Sequence, residues 1–371
     1  MSFWEKLEKP FFVLAPLADV TDAAFRQMIA KYSAHERADG TVGGPDVMWT
    51  EFVSADGLMR APKEGREKLL TDLIYSEEER PIVAQLFSSH PEYMEGAARL
   101  CRELGFDGID INMGCPDKSI EKQGCGSAMI KNPENAREVI RAAKRGAGDL
   151  PVSVKTRLGY NKDQLEEWLP EILAEDVAAV AIHARTRKEM SKVPARWERV
   201  GRAVEIRNEL GSKALILGNG DALSLDDARA KAEISRADGV MLGRAIFGNP
   251  WLFHPSKRLP EHITLSAASL PLHRTTEYGS HGNSPLPRSL PQEDVLSSEN
   301  IELVTLEERL TVMVEHTKLF EKLLPHKNFA IMKKHYKAYV NGFDGAKELR
   351  MELMEAADAQ AVDNIVAHFL A

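Results

Sequence analysis

Short apolar segments rich in Val, Ile and Leu alternate with amphipathic segments over residues 11–245. Most of the apolar segments are continuous rather than alternating in polarity, which is typical of parallel strands buried on both faces. The pattern therefore predicts eight buried strands joined by helices. The predicted strands are residues 11–16, 47–52, 81–87, 108–114, 151–157, 179–186, 214–221 and 239–245.

The segments between these strands carry helical signals. Asn132-Pro133 predicts the start of one helix, because asparagine caps helices and proline fits the first turn. Within residues 91–105, one helical stripe collects the small and apolar side chains. Its members are Met94, Ala97, Ala98, Cys101 and Leu104.

Eight β/α alternations match the size and order of a (β/α)₈ TIM barrel. A doubly wound sheet is the competing α/β fold, and it usually has a glycine-rich turn after its first strand. The corresponding segment here is Ala15-Pro16-Leu17-Ala18, which contains no glycine. We therefore expect residues 1–253 to form a TIM barrel.

The pattern changes after Phe253. Residues 254–300 contain 6 of the 19 prolines and 8 serines, with little apolar periodicity, which predicts a long loop or linker. Helical periodicity returns near 305–323, 327–340, 344–357 and 360–370, so we expect residues 301–371 to form a small all-helical domain.

Composition narrows the class of protein. Three cysteines in 371 residues cannot form a disulfide framework, and the charged residues among the first eight argue against a secretion signal. No stretch is long and apolar enough for a membrane helix. We therefore expect a cytoplasmic protein with no membrane partner. We also expect a monomer. The net charge of −8 gives no hint of nucleic-acid binding, although local patches matter more than the total.

Polar residues cluster where the predicted strands end, which is where TIM barrels carry their active sites. Burying such groups without partners costs roughly 1–3 kcal/mol each. Gly220 and Gly243 fall after strands seven and eight, the usual phosphate site of this fold, and Arg244 is placed to add a charged contact. The alternative is that both glycines only form turns.

Lys155 and His183 end neighbouring strands. A lysine beside the polar edge of a flavin would stabilise negative charge on the reduced ring, whereas a Schiff-base lysine is the rival role. His183 is alternatively a hydrogen-bonded core histidine.

Cys115 lies between Gly114 and Pro116 at the mouth of the predicted barrel. Its thiol is suited to act as a nucleophile, a general acid or a metal ligand. The ten-residue separation from Cys125, without a CxxC or histidine pair, disfavours metal, so we expect no metal site. Cys101 is expected in the core. For Cys125, a small residue in a glycine-rich turn is favoured over a catalytic role.

These residues occur in motifs that resemble those of tRNA-dihydrouridine synthases, in the family's order and spacing from residue 11 to 253. Late in the chain, Lys334-His335 with Tyr339, Gly342-Phe343 and Leu349-Arg350 resembles the family's helical RNA-binding domain. The barrel motifs are Ala15-Pro16-Leu17-Ala18-Asp19-Val20-Thr21-Asp22 with Phe25-Arg26, Gln85-Leu86-Phe87, Asp110-Ile111-Asn112-Met113-Gly114-Cys115-Pro116, Val154-Lys155-Thr156-Arg157, Ile182-His183-Ala184-Arg185-Thr186-Arg187, Gly218-Asn219-Gly220-Asp221 and Asp238-Gly239-Val240-Met241-Leu242-Gly243-Arg244-Ala245.

The resemblance implies an FMN enzyme that uses NADPH to reduce uridines of tRNA to dihydrouridine. It implies that Cys115 is the general acid that protonates C5, that Asn112 contacts the uracil, and that Arg185 is a weaker candidate on the substrate side. The implied flavin-ring contacts are Pro16, Leu17, Ala18, Gln85, Lys155 and His183. The implied contacts near the phosphate are Asn219, Gly220, Asp221, Gly243 and Arg244.

Two other functions fit parts of the pattern. An FMN barrel that reduces a small enone or pyrimidine would explain the barrel but not the C-terminal helices. A non-catalytic RNA-binding barrel would explain those helices but not Cys115, Lys155 and His183.

The C-terminal region also concentrates positive charge. Residues 318–337 contain six lysines and a single acidic residue, Glu321. This concentration of charge predicts a tRNA phosphate-binding patch that includes Lys333, Lys334 and Lys337. The alternative is an ordinary solvated helix surface. The remaining lysines are Lys318, Lys322 and Lys327.

Overall fold

The computed structural model of the chain describes residues 2–37, 40–260, 263 and 301–371. Eight parallel strands follow each other around a barrel in chain order. The first and eighth strands pair in parallel, and the amide of Leu14 donates to the carbonyl of Val47 at 3.1 Å, which links the first strand to the second. The strands are β1 Phe11–Leu14, β2 Met48–Trp49, β3 Ile82–Phe87, β4 Gly108–Asn112, β5 Val152–Arg157, β6 Ala179–His183, β7 Leu215–Asn219 and β8 Gly239–Leu242.

This architecture confirms the predicted TIM barrel, and every strand lies inside its predicted segment. Helices follow the strands and cover the outside of the barrel. They are α1 Ala23–Tyr32, α2 Ala55–Arg60, α3 Lys63–Thr71, α4 Pro91–Glu103, α5 Lys118–Glu121, α6 Pro133–Ala147, α7 Leu165–Leu173, α8 Trp197–Glu209 and α9 Leu225–Ser235.

The helix signals hold with one exception. The Asn132 side chain accepts a hydrogen bond from the amide of Asn135 and caps α6 as predicted. On α4, Met94 and Cys101 are buried as expected. Leu104 is 41% exposed, so its placement on the buried stripe is wrong. It follows Glu103, the last residue of α4, and so lies past the end of the helical stripe.

The amino-terminal end of the barrel is filled by aromatic side chains. Trp4, on a short 3₁₀ turn before β1, is buried against Phe11 and Trp49, with ring centroids 5.8 and 6.0 Å away. In the described part of the chain, apolar rings therefore fill this end of the barrel.

Four helices complete the chain where they are predicted: α10 Leu306–Leu323, α11 Met332–Tyr339, α12 Ala346–Glu355 and α13 Ala359–Leu370. Lys31 of α1 pairs with Glu315 of α10 at 2.6 Å, so the helical region contacts the barrel through α1. A two-residue strand, Lys257–Arg258, pairs with Glu302–Leu303. Most of the predicted linker, residues 261–262 and 264–300, lies outside the described residues.

None of the helices in the described ranges combines the length and the apolar character that crossing a bilayer requires. The same ranges contain no group of three or more His, Cys, Asp or Glu side chains arranged to bind a metal ion.

Candidate functional site

A cleft of about 1120 Å³, partly open to solvent, lies at the carboxyl ends of the barrel strands. Its lining brings together thirteen of the residues predicted for the site, drawn from seven strands or the loops after them. They are Pro16, Leu17, Ala18, Gln85, Asn112, Cys115, Lys155, His183, Asn219, Gly220, Asp221, Gly243 and Arg244.

The loop after β4 fixes the backbone of Cys115 on both sides. The Cys115 amide donates to Asn112 Oδ1 at 2.9 Å, and its carbonyl accepts from both the amide and the hydroxyl of Ser127 at 2.9 Å. Gly126 makes this approach possible, because a Cβ there would lie 2.6 Å from the Cys115 carbonyl oxygen. The thiol is therefore held at a fixed place in the wall of the cleft.

The electrostatic surroundings keep this thiol protonated at neutral pH. Burial raises the pKa of Cys115 above its usual range, and the positive charges of Arg157 and Lys155 offset this only in part. A half-buried, protonated thiol is suited to donate a proton rather than to attack as a thiolate.

The other two cysteines do not line the cleft. Cys101 is fully buried on α4, as expected. Cys125 is 2% exposed and packs in a small apolar cluster with Phe87 and Ile120, against which Cys115 also rests. This placement favours the structural interpretation of Cys125.

Two cations point into the cleft from β5. Lys155 and Arg157 are two residues apart on this strand, so their side chains lie on the same face. Burial lowers the pKa of Lys155 to about 8 and that of Arg157 to about 10. Desolvated positive charges of this kind favour an anionic ligand. Arg157 was not among the predicted site residues, although its two-residue spacing from Lys155 on the same strand indicates that the two side chains share a face.

Arg157 also connects two loops at the rim of the cleft. Its guanidinium donates to the carbonyl of Gly114 at 2.7 Å and to the carbonyls of Thr186 and Met190 at 3.2 Å. The loop that carries Cys115 is thereby joined to the loop after β6. Met190 and Phe52 add apolar surface to the cleft.

His183 presents a neutral ring to the cleft. Burial, together with the surrounding arginines and Lys155, lowers its pKa well below 6.5. Its Nε2 lies 3.2 Å from Arg185 Nη1, whereas the buried Nδ1 has no hydrogen-bond partner among the described residues. A ring nitrogen left in this way is available to a bound ligand.

The far end of the cleft is built from the turns after β7 and β8. Gly220 has φ +122°, and a Cβ there would lie 2.9 Å from Ala195 Cβ, so only glycine fits. Asp221 accepts hydrogen bonds at 2.5 Å from both Arg185 and Arg244. The Asp221 carboxylate therefore holds two arginines in place, and their positive charges compensate its negative charge.

Four residues predicted for the substrate side lie outside the cleft lining. Arg185 is 2% exposed and is held by Asp221 and by the carbonyl of Val193. On α11, Lys337 is exposed, Lys333 is half-buried, and Lys334 lies 3.5 Å from Asp19 on the loop after β1. Through Asp19, this helix adjoins the rim of the cleft.

The predicted patch of six uncompensated lysines is wrong for three of them, one of which is Lys334 with its contact to Asp19. Lys327 is buried and pairs with Glu51 at 2.6 Å and with Asp72 at 2.9 Å. Lys318 pairs with Asp363 at 2.7 Å. These carboxylates come from elsewhere in the fold, so a local count of charges around residues 318–337 does not include them.

Comparison with known proteins gives a consistent picture over the whole chain. A family model described as dihydrouridine synthase (Dus) matches residues 13–277. A probable tRNA-dihydrouridine synthase of Staphylococcus aureus strain COL is 35% identical over 97% of this chain and 94% of its own length. The probable tRNA-dihydrouridine synthase 2 of Bacillus subtilis strain 168 is 36% identical over 99% of this chain and 96% of its own.

Solved structures resemble the barrel more distantly. Morphinone reductase in complex with tetrahydroNAD has 14% identity and a TM-score of 0.43, covering 65% of this chain and 84% of that chain. A 2-naphthoyl-CoA reductase complex has 13% identity and a TM-score of 0.47, covering 65% and 49%. At these scores, the likenesses support no conclusion about what this chain does.

Proposed function

Because this chain belongs to the dihydrouridine synthase family, we propose that it reduces the C5=C6 bond of uridines in tRNA to 5,6-dihydrouridine, with FMN as cofactor and NADPH as reductant. The observation that carries this proposal is a protonated thiol, Cys115, in the same cleft as the cations Lys155 and Arg157. Reduction of this bond requires a hydride at one carbon and a proton at the other, and the thiol is the proton donor.

The cleft fits a flavin mononucleotide. Lys155 and the unpartnered Nδ1 of His183 match the polar edge of an isoalloxazine ring, while Pro16 and Leu17 offer apolar contact. At the other end, Gly220 allows close approach of the backbone to a phosphate, and Arg244 supplies positive charge. When bound, FMN supplies the hydride that C6 of the uracil receives.

In this proposal, Cys115 holds a proton at Sγ and delivers it to C5 of the uracil. Its raised pKa keeps the proton in place until the bond is reduced, and the thiolate left behind recovers a proton from solvent. Asn112 is proposed to bind the uracil beside Cys115. One N–H of its carboxamide donates to Gln85, and the other is the donor that we assign to the uracil.

The target base has to leave the stacked RNA to enter this cleft, as in other enzymes that act on a base. Lys333, Lys334 and Lys337 of α11 are the residues that we propose contact the tRNA backbone, since this helix adjoins the cleft rim through Asp19. Phosphate contacts of this kind position the substrate without reading its sequence.

The test separates the two half-reactions by stopped-flow absorbance. Cys115→Ala should accept electrons from NADPH at the wild-type rate, because the thiol serves only the second half-reaction. Its reoxidation by tRNA should fall by about 10²-fold or more, which is the usual contribution of general acid catalysis. A small enone serves as the alternative oxidant.

Cys125→Ala is the matched control, since it removes a thiol from the same loop that does not line the cleft. It should retain most of the activity. Equal loss of both half-reactions in Cys115→Ala would show a structural role for that residue. Faster oxidation of the wild type by the enone than by tRNA would favour a small-molecule reductase.

A further inference from the structure

A chain of hydrogen bonds runs through the barrel wall from Asp110 to the backbone of Cys115. Gln85 Nε2 donates to Asp110 Oδ2 at 2.7 Å, and Asn112 Nδ2 donates to Gln85 Oε1 at 3.0 Å. Asn112 Oδ1 then accepts from the amides of Gly114 and Cys115 at 3.2 and 2.9 Å. The three side chains are 7% exposed or less.

The order of donors and acceptors in this chain is fixed at both ends, by the backbone amides of Gly114 and Cys115, which only donate, and by the Asp110 carboxylate, which only accepts. A carboxamide is nearly symmetric in shape, so its position alone does not decide which end carries the N–H groups. An ionised carboxylate only accepts, which forces Gln85 to present its N–H to Asp110 and its oxygen to Asn112. Asn112 must then turn its own oxygen to the Cys115 loop.

The hydrogen bonds to Asp110 favour its ionised form in spite of its burial. Burial raises its pKa to about 6, while hydrogen bonds from Ser153 and Gln85 and the charge of Lys155 oppose the rise. Ser153 Oγ donates to Asp110 Oδ1 at 2.6 Å. A buried charge is costly unless it is well hydrogen-bonded, and Ser153 and Gln85 meet this condition for Asp110.

We propose that Asp110 is a positioning residue for the proposed reaction: its carboxylate sets the direction of the Gln85 and Asn112 carboxamides and thereby holds Cys115 at the place from which it donates its proton. Gln85 and Cys115 both line the cleft, and the proposed function assigns Gln85 to the flavin and Cys115 to the uracil. Asp110 thus couples the orientation of both groups. This inference rests on the proposed function.

Asp110→Asn tests the proposal, because it keeps the shape of the side chain and removes its restriction to accepting. We expect reoxidation of the reduced enzyme by saturating tRNA to slow by about 10- to 100-fold, the range for a lost hydrogen bond to a charged group. The affinity for tRNA should change much less than this rate, since Asp110 is buried and the phosphate contacts proposed for α11 are untouched.

Alkylation of Cys115 by iodoacetamide gives a readout that does not depend on turnover. Release of its backbone amide should expose the half-buried thiol and raise the alkylation rate at least about threefold. Peptide mass spectrometry identifies which cysteine is modified. Cys101 and Cys125 are buried, so their alkylation should be slow. Ser153→Ala is the matched control: it removes the hydroxyl donor to Asp110 but keeps the carboxylate, so the alkylation rate should match the wild type.

A swapped pair distinguishes orientation from general structural damage. In Asp110→Asn combined with Gln85→Glu, the new carboxylate accepts from both neighbours, so Asn112 again turns its oxygen to Cys115. The double variant should recover the wild-type alkylation rate even if FMN binding suffers at position 85. If Asp110→Asn alone fails to fold, the double variant carries the comparison.

Unchanged alkylation and reoxidation in Asp110→Asn would overturn the proposal, as would a double variant whose Cys115 alkylates faster than the wild type. Failure of the wild type to form dihydrouridine would instead refute the proposed function. The alkylation comparison would still decide whether Asp110 orients the loop.

Discussion

Gly220 lines the cleft at the end proposed for the FMN phosphate, and its backbone conformation is one that other residues rarely adopt. Its φ of +122° is open to glycine but strained for other residues, and a Cβ would press against Ala195 and lie 3.3 Å from His183 Cδ2. The turn after β7 therefore depends on a residue without a side chain.

We predict that Gly220→Ala weakens FMN binding about tenfold or more and destabilises the fold by roughly 1–3 kcal/mol, the cost of a forced backbone conformation. Fluorescence titration with FMN and urea denaturation measure the two effects.

Gly211→Ala is the control, since Gly211 has φ +65° with no atom within 4 Å of the added Cβ. It should lose stability but bind FMN as the wild type does. If Gly220→Ala also bound FMN normally, the turn after β7 would not be part of the phosphate site.

At the same scale, the sequence predicted most of the cleft residues, because polar side chains on apolar strands are unusual and strand ends are where a barrel uses them. It could not assign their contacts. Arg185 was expected towards the substrate, yet it lies beneath the cleft, because Asp221 accepts from it. The partner of a buried arginine is decided by the fold and not by spacing along the chain.

Two histidines form the contact between α1, α10 and α11. The rings of His316 and His335 are fully buried, with centroids 4.6 Å apart, and Phe25 of α1 stacks on His316 at 4.8 Å. Burial lowers the pKa of His316 to about 3 and that of His335 well below its usual value. Both rings are therefore neutral in the folded protein.

This contact predicts acid sensitivity in the helical region. Below about pH 6.5 the unfolded chain binds a proton at His316 and the folded chain does not. The free energy of unfolding therefore decreases by about 1.4 kcal/mol for each unit by which the pH is lowered. Relative to His316→Leu, the wild type should lose about 2 kcal/mol between roughly pH 7 and pH 5.

Urea denaturation of both proteins at the two pH values measures this difference. Buried carboxyls with raised pKa, such as Asp22 and Asp110, act in the opposite direction, but they are present in both proteins and cancel. A parallel loss of stability in the two proteins would show that His316 titrates normally in the fold.

Elements were easier to predict than their contacts. Each strand lies within its predicted segment because a strand buried on both faces has to be apolar throughout. The additional residues at the carboxyl ends, such as Gly220 and Asp221 after β7, belong to the loops that build the cleft. The packing of α10 against α1 was not predicted, because apolar stripes do not specify their partners.

For the whole molecule, the question is how a chain of net charge −8 holds an anionic substrate. Much of its positive charge is already paired inside the fold. Lys327, for example, pairs with Glu51, which lies 276 residues away along the chain. Near the cleft, positive charge is concentrated on α11, which carries three lysines. Of these, Lys337 is exposed.

Replacing Lys333, Lys334 and Lys337 with glutamate should weaken tRNA binding and flatten its salt dependence, because each phosphate contact releases about one counterion. FMN content and NADPH oxidation should barely change. Filter binding over a range of salt concentrations gives both the affinity and the slope.

The control replaces Lys6, Lys9 and Lys213, which are exposed and precede β1 and β7 at the opposite end of the barrel. It changes the net charge equally and should leave the slope nearly as in the wild type. Equal effects of the two triple variants would mean that only total charge matters, and the tRNA contact would have to be sought elsewhere.

The central claim is tested most directly by detecting the product. Purified protein with FMN and NADPH is incubated with tRNA from cells in which its gene is deleted, and the digested tRNA is analysed by mass spectrometry. The account predicts that specific uridines gain two hydrogens with the wild type and Cys125→Ala, and that Cys115→Ala forms this product about 10²-fold more slowly or worse. NADPH oxidation without any dihydrouridine, or equal conversion by Cys115→Ala, would contradict it.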